Sequence, residues 1–320
     1  MRWRSGDWLM FVCDDSARSL TQTAQDLGLS VPAAIAQLQA QARRVLTPLD
    51  DGAQSGHMVW HGWQPPAGVA PQGLLLVMLH GGSGSWTHWL RVIEPLRQAG
   101  YSLWIADLPG FGESDGVPGG TDVDTLIDPL ARGIRQLLGA SNNRPVCDLV
   151  GFSFGGMTAG LLAAAHPDLA RRLVIAGAPA MGLTEGRVVR LKGWRHLSGL
   201  EAQMQAHRHN LAALMLNKLT LIDEETLALH ALNVARDRLP RRRLSQTDIL
   251  AKALQQVKVP VAAIYGEHDP LYEGKLAELQ TLMQAQCQGP LNWQVIAGAG
   301  HWVQHEDPVA FCAALHKALV

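Results

Sequence analysis

The chain of 320 residues contains no run approaching the ~20 consecutive apolar residues that span a bilayer, so a transmembrane helix is not expected. Its four cysteines, Cys13, Cys147, Cys287 and Cys312, lie far apart and form no C-x-x-C pair. That removes zinc ribbons and dithiol redox motifs from consideration and fits a reduced, cytoplasmic protein. No H-E-x-x-H occurs, and His207, His209 and His230 lie on polar helical stretches without ligand spacing, so no metal is expected. A net charge of −1 excludes a broad electrostatic attraction to nucleic acid or to an anionic membrane. Arg2 and Arg4 precede the apolar stretch Trp8–Cys13, which is too short for a signal peptide and lacks a small-residue cleavage site. Internal repeats and low-complexity tracts are absent. Tyrosine is scarce, 3 residues against 10 tryptophans, a bias that suits an apolar site.

What is present is an apolar fraction of 47 %, enough for one large domain with insertions. Within it, Gly151–Phe152–Ser153–Phe154–Gly155 stands between a strand-like run, Val146–Val150, and a small-residue helix from Met157 through Ala165. A serine at such a corner is held in a strained turn that lifts its hydroxyl above the sheet, and the flanking glycines avoid a collision there. The Phe154 N–H then opens a helix and can face developing negative charge. A serine hydroxyl needs a base, and the base needs an orienting group. Val259–Tyr265 ends in Gly266–Glu267–His268–Asp269–Pro270, and Asn292–Ile296 leads to Gly298–Ala299–Gly300–His301–Trp302. Both loops leave the carboxyl ends of strands, where open α/β sheets place their ligands. Asp269 is the candidate acid, with Glu267 as a surface neighbour. His301 is the candidate base, ahead of His268 and His305.

In the order Ser153, Asp269, His301 the chain resembles the α/β-hydrolase fold family over roughly Gly56 to Val320. Supporting pieces are His80–Gly81–Gly82–Ser83–Gly84–Ser85 after the strand Leu74–Leu79, and Asp107–Leu108–Pro109–Gly110–Phe111–Gly112–Glu113–Ser114 after Ser102–Ala106. The resemblance implies a mostly parallel central sheet with flanking helices and a helical cap insertion. It also implies an oxyanion hole made by the backbone N–H groups of Gly82 and Phe154. It calls for no cofactor, only a small-molecule acyl substrate and water. His80 then shapes the oxyanion loop and Asp107 anchors its own loop. Serine rather than aspartate at position 153 argues against the epoxide-hydrolase and haloalkane-dehalogenase branches, which use a carboxylate nucleophile.

The expected organisation is an N-terminal helical extension over 1–55, a first core part over 56–180, a helical cap over 181–249 and a second core part over 250–320. The extension reads as two helices, Ala17–Leu27 and Pro32–Leu46, separated by Gly28–Leu29–Ser30. Its corner resembles a helix-turn-helix, but the second helix carries mainly Ala and Gln, which speaks against DNA binding. The pair packs on the core or on a second copy in a homo-oligomer. In the cap, Leu191, Trp194, Leu197 and Leu200 stand at helical spacing, and Arg241–Arg242–Arg243 reads as a solvated turn. Trp86, Trp194 and Trp302 are candidate substrate contacts, although core packing accounts for any one of them equally well.

Three functions stay open. The simplest is hydrolysis of a small carboxylic ester through an acyl-enzyme on Ser153. A second is carbon–carbon bond hydrolysis, since His80–Gly81–Gly82 and Gly300–His301–Trp302–Val303–Gln304 resemble the meta-cleavage product hydrolases. There Arg187, Arg190 and Arg195 either hold a substrate carboxylate or are solvated, while Phe152 departs from the asparagine usual before that group's serine. A third is a non-catalytic receptor or regulator with the hydrolase fold.

Overall fold

A computed structural model describes residues 19–50, 56–73, 75–139, 147–183, 189–239 and 242–320. Of the features singled out above, Arg2, Arg4, Trp8–Cys13, Ala17, Leu74, Val146, Arg187 and Arg241 lie outside these residues. In chain order the helices are α1 (Leu20–Leu27), α2 (Ala33–Gln41), α3 (Leu90–Gln98), α4 (Ile127–Leu138), α5 (Phe154–Ala165), α6 (Leu200–Asn210), α7 (Glu224–Ala235), α8 (Ile249–Leu254), α9 (Leu276–Gln286), α10 (Val303–Glu306) and α11 (Pro308–Leu319). The strands are β1 (Arg43–Pro48), β2 (His57–Trp63), β3 (Leu75–Leu79), β4 (Ser102–Ala106), β5 (Cys147–Phe152), β6 (Ala170–Ala176), β7 (Val261–Gly266) and β8 (Leu291–Ile296).

Among the described residues these strands form one eight-stranded sheet in the order β1-β2-β4-β3-β5-β6-β7-β8. Only β2 runs against its neighbours; β4, β3 and β5 through β8 are mutually parallel. Parallel strands covered on both faces should be apolar throughout, and β5 and β7 are buried at every position. Alternate residues of β3 sort to the two faces. Val77 and Leu79 join a core with Leu130 and Ile134 of α4, Met157 of α5 and Leu279 of α9. Leu76 and Met78 join the opposite core with Val92 of α3 and Phe311 of α11. That second core also takes in Leu20 of α1, Ile35 of α2 and Leu229 of α7, so the N-terminal helices pack on the domain itself.

The sheet departs from expectation at its first edge. Pro32–Leu46 is not one helix: α2 stops at Gln41 and Arg43–Pro48 pairs antiparallel with β2, Val45 opposite Trp60 and Thr47 opposite Met58. Val45 and Thr47 gain more on a pleated surface beside an open strand edge than in another helical turn. Part of the presumed extension is therefore sheet. In the insertion between β6 and β7, Leu191, Trp194 and Leu197 lie in irregular chain, and only Leu200 enters a helix, α6. Gly193 and the Ser198–Gly199 pair interrupt the periodicity; Gly199 sits at φ 87°, a left-handed conformation that ordinary residues avoid. His207 and His230, read as lying on polar stretches, are buried with their rings 5.4 Å apart. No helix among the described residues is long and apolar enough to cross a membrane.

Several histidines are sealed in this fold. Burial lowers the pKa of His80 to about 4, of His230 to about 3 and of His305 to about 3. Each is neutral when folded and takes a proton near pH 6.5 when unfolded. The unfolded chain thus binds more protons between pH 6.5 and the folded value, and stability falls as pH falls through that window. At pH 5 each such histidine costs about 2 kcal/mol relative to pH 7. Urea denaturation at pH 7 and pH 5 should show the midpoint falling markedly; equal midpoints would contradict this account.

Candidate active site

Strand β5 ends at Phe152 and α5 begins at Phe154, which leaves Ser153 alone at the corner with φ 52° and ψ −119°. Such a conformation is costly for a non-glycine residue and persists only where the surroundings enforce it. Here the Ser153 N–H donates to the Ala176 carbonyl at 2.8 Å, and the Ser153 carbonyl accepts from Gly156 and Met157 as the helix starts. A side chain at Gly151 would strike the Gly155 backbone, and one at Gly155 would strike the Leu79 and His80 carbonyls. The glycines are required by close approach of β5, α5 and the chain leaving β3.

The turn after β7 carries Asp269, fully buried, with Oδ1 accepting the Leu271 N–H at 2.9 Å. His301 follows β8 and is 1 % exposed. Its Nδ1 lies 2.9 Å from Asp269 Oδ2 and its Nε2 2.8 Å from Ser153 Oγ. Because a carboxylate can only accept, the proton sits on Nδ1, and Nε2 is left to accept from the serine hydroxyl. The competitors are elsewhere. Glu267 is exposed and accepts from the Gly298 N–H; His268 is exposed beside it; His305 on α10 faces Thr226 Oγ1 at 3.2 Å.

Gly82 and Phe154 meet above the serine. A Cβ on Gly82 would come within 3.6 Å of Phe154 Cβ, and Phe154, as the first residue of α5, has an N–H with no acceptor in its own helix. The His80 ring braces this loop: Leu108 N–H donates to Nε2 at 2.9 Å, so Nδ1 carries the proton and donates to the Gly81 carbonyl at 2.7 Å. Asp107 anchors its own turn, accepting from the Trp86 and Glu113 amides.

A cavity of about 680 Å³ opens over Ser153, His301, Gly82 and Phe154. Its walls are largely apolar, with Val189, Leu191, Leu214 and Met215 of the insertion facing Phe152 and Leu271 of the core. Leu191 forms an outer part of the wall and is 51 % exposed. The wall beside His301 is tied down: Trp302 N–H donates to the Met215 carbonyl at 2.8 Å, Lys218 N–H to Glu306 Oε1 at 2.6 Å and Asn217 Nδ2 to the Gly298 carbonyl at 3.1 Å.

The three tryptophans expected as substrate contacts are not among the residues lining the cavity. Trp86 is sealed against His61 and Trp63, Trp302 donates its Nε1 to the His88 carbonyl, and Trp194 lies tilted against the His207 ring with the Arg195 guanidinium 4.8 Å from its centroid. Arg190 and Arg195 are exposed and do not line it either. The cation that does is Arg242, read from sequence as solvated. It pairs with both oxygens of Asp237, bonds Ser83 Oγ, and lies 5.0 Å over the Phe111 ring and 5.4 Å over the Phe154 ring. The partner that holds it, Asp237, stands five residues upstream in irregular chain, where no helical spacing flags the pair. Among the described residues no group of three or more His, Cys, Asp or Glu side chains is arranged to hold a metal ion.

A family model described as "Alpha/beta hydrolase family" matches residues 76–315, three quarters of the chain. The chain belongs to the alpha/beta hydrolase family. Within it, the chain is 28 % identical over 258 residues to a 2-hydroxy-6-oxo-6-phenylhexa-2,4-dienoate hydrolase of Burkholderia cepacia, covering 76 % of this chain and 86 % of that one. It is 27 % identical to epoxide hydrolase 3 of Xenopus tropicalis, covering 73 % and 68 %. Among solved structures, an esterase from Rhodococcus sp. ECU1013 superposes with a TM-score of 0.65 at 20 % identity, covering 87 % of this chain and 98 % of that one, a likeness of fold. This alpha/beta hydrolase thus has relatives of differing chemistry, and the choice among them falls to its own site.

Proposed function

We propose that the protein is a serine hydrolase of small acyl substrates, most simply carboxylic esters. The observation that carries this reading is the unbroken chain Ser153 Oγ–His301 Nε2, His301 Nδ1–Asp269 Oδ2, at 2.8 and 2.9 Å. In the proposed mechanism Ser153 Oγ attacks the ester carbonyl and His301 Nε2 takes its proton. Asp269 fixes the imidazole tautomer and stabilises the imidazolium. The Gly82 and Phe154 amides receive the oxyanion, one such donor being worth about 3 kcal/mol of barrier. The tetrahedral adduct collapses as His301 protonates the departing alcohol. Water, deprotonated by His301, then attacks the acyl-enzyme and releases the acid and the free serine. The insertion over 181–249 acts as a cap that selects substrates by shape. A fluorophosphonate probe tests the reading directly: stoichiometric labelling of Ser153, read by peptide mass spectrometry, is expected, and an unlabelled serine favours the receptor alternative.

Carbon–carbon bond hydrolysis is the second reading, favoured by Arg242. A dienoate substrate bears a carboxylate, and Arg242 is the cation on the cavity wall, sharing its charge with Asp237. The two readings differ in what Arg242 does. If the substrate is anionic, Arg242→Gln should raise KM for a dienoate at least about tenfold while leaving KM for neutral p-nitrophenyl acetate within about twofold. A p-nitrophenyl ester series of increasing chain length, assayed beside a meta-cleavage dienoate, decides between them.

A further inference from the structure

The loop that presents Gly82 is built from glycines, and a Gly-Gly segment has no intrinsic preference for the conformation that aims an amide at a substrate. Something must hold it. His80 holds one side: its Nδ1–H binds the Gly81 carbonyl, which belongs to the same peptide plane as the Gly82 N–H, and so points that N–H the opposite way. The preceding peptide plane is held by a second imidazole. The Gly81 N–H donates to His88 Nδ1 at 3.2 Å.

Position 88 is unusual in what surrounds it. Its ring lies 5.6 Å edge-on from Phe152, the neighbour of Ser153, and 4.9 Å from Trp302, the neighbour of His301. Gly84 lies directly against the ring, and a Cβ there would collide with it. The His88 carbonyl accepts from Trp302 Nε1 at 2.9 Å, which fixes residue 88 relative to the histidine loop. One buried side chain thereby touches the loops that bear the oxyanion amide, the nucleophile and the base.

We infer that His88 is a positioning residue for the oxyanion amide: its Nδ1 lone pair pins the Gly81 peptide so that the Gly82 N–H is fixed relative to Ser153 and His301. The inference rests on the acyl-transfer reading above, in which that amide receives the oxyanion. The role requires an acceptor at Nδ1 and therefore a neutral ring. Burial holds its pKa well below the ordinary histidine range, so the acceptor persists at neutral pH.

A simple packing role and a positioning role predict opposite orders for two variants. Asparagine places Oδ1 where histidine has Nδ1 and keeps the acceptor but loses the ring; phenylalanine keeps the ring volume and loses the acceptor. On p-nitrophenyl acetate, His88→Phe should lower kcat by about 10- to 100-fold with KM within about twofold. His88→Asn should keep kcat within about threefold of the wild type. Thermal stability should run the other way, with the Asn variant melting lower because it leaves a void between Phe152 and Trp302. If the Phe variant does not fold, His88→Ala against His88→Asn gives the same contrast, since both lose the ring and only one keeps the acceptor. Equal kcat in the paired variants, or activity that follows melting temperature, overturns the role of His88 while fluorophosphonate labelling of the wild type stays intact. A wild type that does not label overturns the acyl-transfer reading and this inference with it.

Discussion

Ser153→Ala is expected to lower kcat on p-nitrophenyl esters by a factor on the order of 10⁴ or more while the protein folds as before. The size of the effect follows from what the substitution removes and what it spares. In the proposed mechanism the nucleophilic oxygen goes, and with it the acyl-enzyme route. The Gly82 and Phe154 amides and the cavity remain, so substrate binding should persist and KM change little. The backbone at this corner is unaffected in kind, because alanine and serine meet the same steric cost at φ 52°. His301 Nε2 loses its hydrogen-bond partner, a loss of about 1 kcal/mol. Circular dichroism and melting curves close to wild type, with ester turnover at background, are the expected pair of results. A variant that keeps a tenth of the activity with an unchanged spectrum would remove Ser153 from the mechanism.

Asp269→Asn should be nearly as damaging, for a reason visible in the hydrogen bonds. Oδ1 of Asp269 accepts from the Leu271 N–H and Oδ2 faces His301 Nδ1. An asparagine must keep its carbonyl oxygen toward Leu271, which turns its NH₂ toward His301. That amide can only donate, so Nδ1 becomes the acceptor and the imidazole proton moves to Nε2. The ring then presents a proton where it must receive one. A fall in kcat of about 10⁴-fold is the scale known for this change in comparable triads, and kinetics on a folded variant measure it. Glu267→Gln is the control: Glu267 is exposed and bonded to the Gly298 amide, so its loss should leave kcat within about twofold. A crippled Glu267 variant beside an active Asp269 variant would reverse the assignment.

The parts of this molecule that were legible from residues alone are those where chemistry restricts the alphabet. Ser153, Asp269 and His301 each follow an apolar run and sit in a turn whose glycines or proline have a geometric reason, and the structure brings the three side chains together. The first sheet edge was illegible because Arg43–Pro48 carries two arginines and a proline, and its strand character comes from the partner edge of β2. The tryptophans were misplaced because an indole that packs a core and one that lines a cavity look identical in composition. Arg242 was missed for the converse reason. An arginine in a basic run reads as solvated until Asp237, Ser83 and two phenyl rings are seen to hold it beside Gly82 and Phe154.

The three hydrogen bonds that join Met215, Asn217 and Lys218 to the segment from Gly298 to Glu306 couple one side of the cavity to the loop that carries His301. On that side the roof is riveted to the same loop that holds His301. Lifting it would cost about 1 kcal/mol per bond and would pull His301 away from Ser153 and Asp269. The far rim, chain without regular structure with Leu191 half in water, is tied instead to α6: Asn210 bonds the N–H and the carbonyl of Lys192, and His209 faces the Arg190 carbonyl at 3.1 Å. Under the acyl-transfer reading proposed above, motion that admits a substrate on the Leu191 side would carry the rim with α6 and leave the His301 loop in place. Exchange of amide hydrogens should report the difference, fast at Leu191 and Gly193 and slow at Trp302 and Lys218.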